Sequence, residues 1–217
     1  LVLAVDSSTD VGSVSLIDQE KLVGEHLLNL QETHSQRLMP QIIELIESSG
    51  YQLEELDGIG VALGPGSFTG TRIGLATAKT LAQSLQIPVV GVSTLKAIAY
   101  SFKYVSGYIC PLIDARGGRV FTSLYQADGE LKVEGEEVLL SVDVLIDKLA
   151  EKEEVIYFVG GIAKEYQIKI KSRINKAKFV TNNFNVPRAG AVGELAFKSL
   201  AAGEKDDLFT LTPNYLK

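Results

Sequence analysis

The sequence predicts a duplicated α/β fold with a mixed β-sheet in each half, and three observations support this prediction. Each half opens as strand, acidic turn, strand, turn and strand, and continues with a helix and a further strand. Asp6 and Asp114 follow the first strand of their halves at corresponding places. The length of 217 residues allows one domain or two small ones. We therefore expect an amino-terminal lobe over residues 1–103 and a carboxyl-terminal lobe over residues 104–217, with the last helix able to pack back on the first lobe.

The first half begins with a near-continuous apolar run over residues 1–5, as in a strand buried on both faces, which ends in a polar turn. Further strands are predicted over residues 12–17, 22–30 and 58–63. A helix is predicted from His34 to Ser49, with its apolar stripe at Leu38, Ile42, Leu45 and Ile46. Met39 and Ile43 lie off this stripe and give the helix apolar residues on a second face.

A glycine-rich stretch over residues 64–85 follows the fourth strand and predicts a turn and then a helix. Its spacing is neither that of a P-loop nor that of a dinucleotide-binding turn. The helix carries Gly70, Gly74, Ala78 and Ala82 four residues apart, so that these small residues share one face. Glycine inside a helix costs roughly 0.5–1 kcal/mol relative to alanine. A close backbone contact should offset that cost, either within this chain or with a helix of another chain.

The second half repeats the opening pattern. Strands are predicted over residues 108–113, 120–125, 131–140 and 155–159, and helices over residues 142–150, 162–174 and 188–202. Asp128-Gly129 is a hairpin turn signal.

Composition and charge limit the classes of function. The net charge of −6 argues against strong nucleic-acid binding by the chain alone, although a local basic patch remains compatible with it. No apolar run reaches membrane-spanning length and no signal-peptide pattern is present, so we expect a cytoplasmic protein without a membrane partner. Cys110 is the only cysteine and lies in an apolar run, which favours a buried, inert thiol.

Several polar and glycine positions could carry chemistry. Asp6, Ser7 and Ser8 end the first strand, and Asp114 and Arg116 lie at the corresponding turn of the second half. Such loops contact phosphates or magnesium in ATP-binding proteins, but Asp and Ser are also ordinary turn residues. Gly160 and Gly161 either let a nucleotide approach or simply form a tight turn.

Metal and hydrolase chemistry find little support. The only histidines are His26 and His34, and Leu38 stands one helical turn after His34, so no histidine pair is present there. A nucleophile elbow is missing. The basic segment at Lys164, Lys169, Lys171, Arg173, Lys176 and Lys178 is either a solvated face or a weak RNA-facing patch.

These residues closely resemble the TsaB (YeaZ) family over the whole chain. The match rests on Gly-Pro-Gly-Ser-Phe-Thr-Gly-Thr-Arg-Ile-Gly at residues 64–74, the opening Leu-Ala-Val-Asp-Ser-Ser at 3–8, and His34-Ser35 followed by Leu38 and Pro40. Asp-Ala-Arg at 114–116 and the tail Pro-Asn-Tyr-Leu at 213–216 also match.

The resemblance implies an actin/Hsp70/sugar-kinase-like fold and a role in making threonylcarbamoyladenosine in tRNA. It implies a non-catalytic scaffold that binds and activates TsaD, the relative that transfers the threonylcarbamoyl group. TsaD carries a metal-binding His-x-x-x-His, whereas Leu38 takes the second position here, so no metal ligand and no catalytic residue are expected in this chain. ATP and metal are expected in partner proteins, with no tightly bound cofactor here and with Asp6, Ser7, Ser8, Asp114, Arg116, Gly160 and Gly161 as vestiges of nucleotide-type loops.

The resemblance also implies partners and an interface. TsaD would form a heterodimer through the two helices of the first lobe, the ATPase TsaE would join a larger complex, and tRNA would bind through that complex. The same face could support a homodimer. The expected interface residues are Ser35, Leu38, Met39, Ile42, Ile46, Phe68, Gly70, Thr71, Ile73, Gly74 and Ala78. The rival hypothesis is a stand-alone ATP-binding enzyme of the kinase-like class that uses Asp6 and Asp114.

Overall fold

The computed structural model describes residues 1–19, 21–29, 34–181 and 185–216, and it divides the chain into two compact units. The first unit contains Leu1–Ala97 and Pro187–Asn214, and the second contains Ile98–Val186 and the residues from Tyr215 onward. The strands are β1 (Val2–Asp6), β2 (Val11–Asp18), β3 (Lys21–Asn29), β4 (Gly58–Ala62), β5 (Val89–Val92), β6 (Gly107–Asp114), β7 (Arg119–Thr122), β8 (Tyr125–Ala127), β9 (Leu131–Val133), β10 (Val138–Ser141), β11 (Ile156–Val159) and β12 (Ala177–Phe179). The helices are α1 (His34–Ser48), α2 (Phe68–Leu85), α3 (Thr94–Tyr100), α4 (Val142–Leu149), α5 (Gln167–Lys171) and α6 (Ala189–Ala201), with a short 3₁₀ turn at Leu53–Glu55.

The two sheets have the same strand order, which confirms the duplicated fold. In the first sheet the order is β3-β2-β1-β4-β5, with antiparallel pairing from β3 to β1 and parallel pairing from β1 to β5. The second sheet repeats this as β10-β7-β6-β11-β12, and β8 and β9 add a small antiparallel extension to β6. Each unit thus contains a mixed sheet whose central strand pairs antiparallel on one side and parallel on the other.

The first sheet is covered on one face by α1 and α2. The predicted stripe of α1 packs there, since Leu38, Ile42, Leu45 and Ile46 form one buried cluster with Leu3, Val5, Val14 and Leu16 of the sheet. Burial of this apolar surface stabilises the unit by roughly 25 cal/mol per Å².

The opposite face of the first sheet is covered by α6 at very short range. A Cβ atom on Gly60 of β4 would lie 2.6 Å from Ala196 Cβ, and one on Gly193 of α6 would lie 2.5 Å from Ile17 Cγ1. Glycine is therefore required on both sides of this contact because it lets the helix backbone approach the strands. This packing brings residues 187–214 into the first unit, and the second unit contains Ile98–Val186 and the residues from Tyr215 onward.

Three elements of the second unit differ from the predictions. The strand predicted over residues 120–125 is divided between β7, which ends at Thr122, and β8, which begins at Tyr125. The single strand predicted over residues 131–140 is two strands, because the amides of Glu134 and Gly135 both donate to Leu124 O, at 2.9 and 3.2 Å, and turn the chain away. The helix predicted over residues 162–174 is helical only at Gln167–Lys171. The residues before it form successive turns, in which the amides of Ala163, Glu165 and Gln167 each donate to a carbonyl three residues earlier. Among the described residues, no helix combines the length and apolar character needed to cross a bilayer.

Candidate functional site

The loops that follow β1 and β4 pack against each other at one edge of the first sheet. These strands are parallel neighbours, so their carboxyl ends meet there. Ser67 N donates to Ser8 O at 2.6 Å, and Ser7 Oγ donates to Gly70 O at 2.8 Å. Ser67 also caps α2, because its side chain accepts from Gly70 N at 3.2 Å. The glycine-rich turn is thereby held against the β1–β2 loop of the same chain.

The glycines of this stretch are needed for that contact. A Cβ on Gly66 would lie 2.0 Å from Ser8 O, and one on Gly70 would lie 2.0 Å from Ser7 O. One on Gly74 would lie 2.4 Å from Ser7 Oγ. The cost of glycine in α2 is therefore offset by close packing inside this chain.

This arrangement corrects the expectation that the small-residue face of α2 receives a partner helix. Gly70, Gly74, Ala78 and Ala82 are all buried against the chain's own strands and the β1–β2 loop. The remaining buried members of the predicted interface are Leu38, Ile42, Ile46 and Thr71, which have no surface to offer a partner.

The predicted interface nonetheless includes exposed apolar side chains. Phe68 is 56% exposed, with the Arg72 guanidinium carbon 3.8 Å from its ring centroid, and Met39 and Ile73 are half-buried. Ile43 of α1 is 43% exposed and was not among the predicted interface residues, although its place off the apolar stripe was the signal for it. We name Met39, Ile43, Phe68 and Ile73 the α1–α2 face. The side chain of Ser35 lies outside the described part of the chain.

The vestigial loop residues of the two units differ in exposure. Asp6, Ser7 and Ser8 are buried, and Asp6 Oδ1 accepts from Ser8 N at 2.9 Å and from Ser8 Oγ at 2.6 Å. Asp114 and Arg116 are exposed and belong to the other unit, where Asp114 Oδ1 accepts from Arg116 N at 2.8 Å. In the first unit, then, Ser8 bonds Asp6, Ser7 bonds the backbone of α2, and none of the three side chains reaches solvent.

Gly160 and Gly161 form a tight turn after β11. Gly160 has φ +101°, and a Cβ there would lie 2.3 Å from Leu112 O, so that only glycine fits. Its amide donates to Asn185 Oδ1 at 2.8 Å, and Asn185 is buried. Sequence patterns did not point to this asparagine, because it lies 25 residues along the chain from the turn that it holds.

Leu38, which the resemblance places where TsaD is expected to have its second metal ligand, is buried in the core cluster of the first unit. Across the described ranges, no group of three or more His, Cys, Asp or Glu residues is arranged to hold a metal ion. Leu38 would have to leave the core before the face of α1 that carries it could contribute to a metal site.

Cys110 is fully buried on β6, as the apolar run predicts. Burial raises the pKa of its thiol to about 12, and the bond to Thr122 Oγ1, with the two atoms 3.3 Å apart, acts in the opposite direction. The thiolate, which is the nucleophilic form, is therefore strongly disfavoured.

Comparison with known proteins first defines the class and then the family. The structure aligns with the ROK hexokinase of Thermus thermophilus with a TM-score of 0.53 at 10% identity, over 93% of this chain and 99% of that one. The fold is thus that of the actin/Hsp70/sugar-kinase class. YeaZ from Pseudomonas aeruginosa aligns with a TM-score of 0.82 at 29% identity, over 99% of both chains.

The sequence comparisons agree. A sequence model of the family described as "TsaD: tRNA N6-adenosine threonylcarbamoyltransferase" matches residues 26–212. The tRNA threonylcarbamoyladenosine biosynthesis protein TsaB of Bacillus subtilis is 33% identical over all of this chain and 93% of its own length. The chain belongs to the TsaB (YeaZ) family.

Proposed function

We propose that this chain is a non-catalytic subunit in the threonylcarbamoyladenosine modification of tRNA, and that it binds and activates TsaD. The name of its Bacillus subtilis relative supports the pathway. The match of the transferase family to residues 26–212 supports descent from a common ancestor with TsaD. A paralogue that retains the fold of an enzyme is well suited to pair with that enzyme.

The observation that carries the proposal is the α1–α2 face. α1 and α2 lie side by side on one face of the first sheet, and both present apolar side chains outward. Phe68 is a large aromatic residue with an arginine stacked on it, and aromatic and arginine side chains are the usual energetic centres of protein interfaces. The same face would support self-association, so that homodimer and heterodimer compete for it.

Two observations support a non-catalytic role. Leu38 is packed in the core at the position where the resemblance implies a metal ligand in TsaD, and Asp6 and Ser8 are buried and hydrogen-bonded to each other. We propose that this chain binds no nucleotide tightly and that ATP and metal belong to its partners, TsaD and TsaE.

The test compares two exposed phenylalanines of the first unit. Phe68→Ala removes the centre of the α1–α2 face, whereas Phe209→Ala removes a side chain that is 81% exposed and lies beyond α6. Loss of an interface hot spot costs about 2 kcal/mol or more, so we expect Phe68→Ala to weaken TsaD binding roughly 30-fold and to lower the rate of tRNA modification. Binding is measured by titration calorimetry and modification by nucleoside analysis.

Phe209→Ala should leave both measurements unchanged. Equal binding by Phe68→Ala and the wild type would show that the α1–α2 face is not the interface. Micromolar binding of Mg-ATP with turnover by the isolated chain would instead establish the kinase-like enzyme and overturn the proposed function.

A further inference from the structure

The second unit contains a cationic cavity of about 590 Å³ beside α5 and β12. Its positive residues are Lys164, Lys171 and Lys178, and the rest of its lining is Gln167, Asn175, Ala177, Phe179, Val180 and Thr181. Three of these nine lining residues are lysines, and none of the nine is acidic. In a chain of net charge −6, such a concentration of positive charge is local and needs an explanation.

The basic segment divides into two groups that differ in their partners. Lys169 pairs with Asp143 at 2.7 Å, Arg173 pairs with Asp147 at 3.0 Å, and Lys176 donates to Glu153 O. These three residues lie outside the cavity; two of them are paired with carboxylates, and the third is hydrogen-bonded to a backbone carbonyl.

The three lysines of the cavity have no carboxylate partner among the described residues. They are exposed, and the one recorded contact of their ammonium groups is that of Lys171 Nζ, 5.6 Å from the Phe179 ring centroid. That ring is itself stacked on Phe158, with centroids 5.5 Å apart. The Lys171 ammonium group therefore lies near an aromatic ring and not near a carboxylate, and the three ammonium groups are available to an anion.

The chemistry of the lining favours an extended phosphate ligand. Lysine ammonium groups are flexible point charges that contact phosphates without reading sequence, and the amide and hydroxyl groups of the cavity can add hydrogen bonds to phosphate or ribose oxygens. The cavity volume exceeds that of one phosphate group, and its lining presents three separate positive charges.

We propose that this cavity binds the phosphate backbone of an RNA, which, given the proposed function, is the tRNA that the complex modifies. The contact is independent of base sequence and acts through counterion release. The cavity gives the chain a local basic surface, although the net charge of the whole chain is negative.

The experiment compares two triple variants of equal charge change. Lys164→Gln with Lys171→Gln and Lys178→Gln neutralises the cavity, and Lys169→Gln with Arg173→Gln and Lys176→Gln is the matched control. Binding of an unmodified tRNA transcript is measured at several salt concentrations, with the full chain alone and with its complex with TsaD. ATP serves as the probe for free phosphates, and circular dichroism confirms that both variants fold.

Each phosphate contact contributes about 0.7–0.9 to the slope of log affinity against log salt. The cavity variant should lower the slope by about 2.1–2.7, so that raising salt from about 50 to 200 mM weakens wild-type binding about 20–40-fold more than variant binding. The matched control should retain the wild-type slope.

An unchanged slope in the cavity variant, or an equal loss in the matched control, would overturn the proposal. Loss of ATP binding with unchanged tRNA binding would also overturn it and assign the cavity to a free nucleotide. Failure of the wild-type chain to bind TsaD would refute the proposed function but not the role of the cavity. That role is still decided by the slope of log tRNA affinity against log salt for the isolated chain.

Discussion

Replacing Gly74 by alanine tests the packing that joins α2 to the β1–β2 loop. In an exposed helix interior, this change stabilises by roughly 0.5–1 kcal/mol because alanine has the higher helix propensity. Here the new Cβ would lie 2.4 Å from Ser7 Oγ, which donates to Gly70 O at 2.8 Å. The hydroxyl must turn away, and a buried hydroxyl without its acceptor costs about 1–3 kcal/mol. The net expectation is a destabilisation of about 1–2 kcal/mol.

A second substitution isolates the cause. Ser7→Ala removes the hydroxyl and keeps Cβ, which would lie 3.7 Å from the new methyl group at residue 74, an ordinary contact distance. In that background, Gly74→Ala should stabilise by the full helix propensity of about 0.5–1 kcal/mol. The two backgrounds should therefore differ by about 1.5–3 kcal/mol in the effect of one methyl group.

Urea unfolding of the four proteins measures this coupling. Ala76→Gly, at an exposed position of the same helix, is the matched control and should cost about 0.5–1 kcal/mol in either background. If Gly74→Ala stabilised the wild type and the Ser7→Ala protein equally, Ser7 would not occupy the space that we assign to it. The larger Gly74→Leu change should impair folding itself and is therefore unsuitable as an interface probe.

Three further predictions concern other buried contacts. Glu25→Ala should destabilise the first unit by about 1–3 kcal/mol in urea unfolding, because it removes a largely buried carboxylate that accepts from Arg188. Glu25→Gln should cost less, and equal stability of the wild type and both variants would contradict the stabilising role of this carboxylate. Cys110 should react with a thiol reagent at pH 8 about 1000-fold more slowly in the folded than in the unfolded chain, because its pKa rises from 9.0 to about 12, and rapid labelling of the folded protein would refute the burial. Because the folded chain keeps this thiol protonated, the free energy of unfolding should fall as the pH rises between these two values. Gly160→Ala should lower the thermal midpoint, because its φ is +101° and its methyl group would meet Leu112 O at 2.3 Å; an unchanged midpoint would show that the turn relaxes freely.

The fold was largely predictable from local patterns. The four-residue stripe of α1 and the apolar run of β1 fix which side chains turn inward, and both match the buried cluster of the first unit. The repeated order of strands and turns was sufficient to predict two related sheets. The first and last residues of α5 were not predictable from composition, because the same residue types form both turns and short helices. The two differ only in whether the hydrogen bonds span three or four residues.

The candidate site was less predictable, for a geometric reason. Spacing shows that Gly70 and Gly74 share a helix face, but it contains no information on what covers that face. The covering atoms belong to Ser7, more than sixty positions earlier, and only the folded chain brings them together. For the same reason the sequence indicated Phe68 and Gly74 as equivalent interface residues, whereas one is exposed and the other buried.

The position of α6 determines the order in which the protein can mature on the ribosome. The first sheet has one face uncovered until residues 187–214 have been synthesised, and residues 98–186 of the second unit are translated before them. At about 5–20 residues per second, the nascent first unit spends several seconds incomplete. The second unit can close before the first, and a nascent chain halted near residue 103 would display a sheet lacking its final layer to chaperones and proteases.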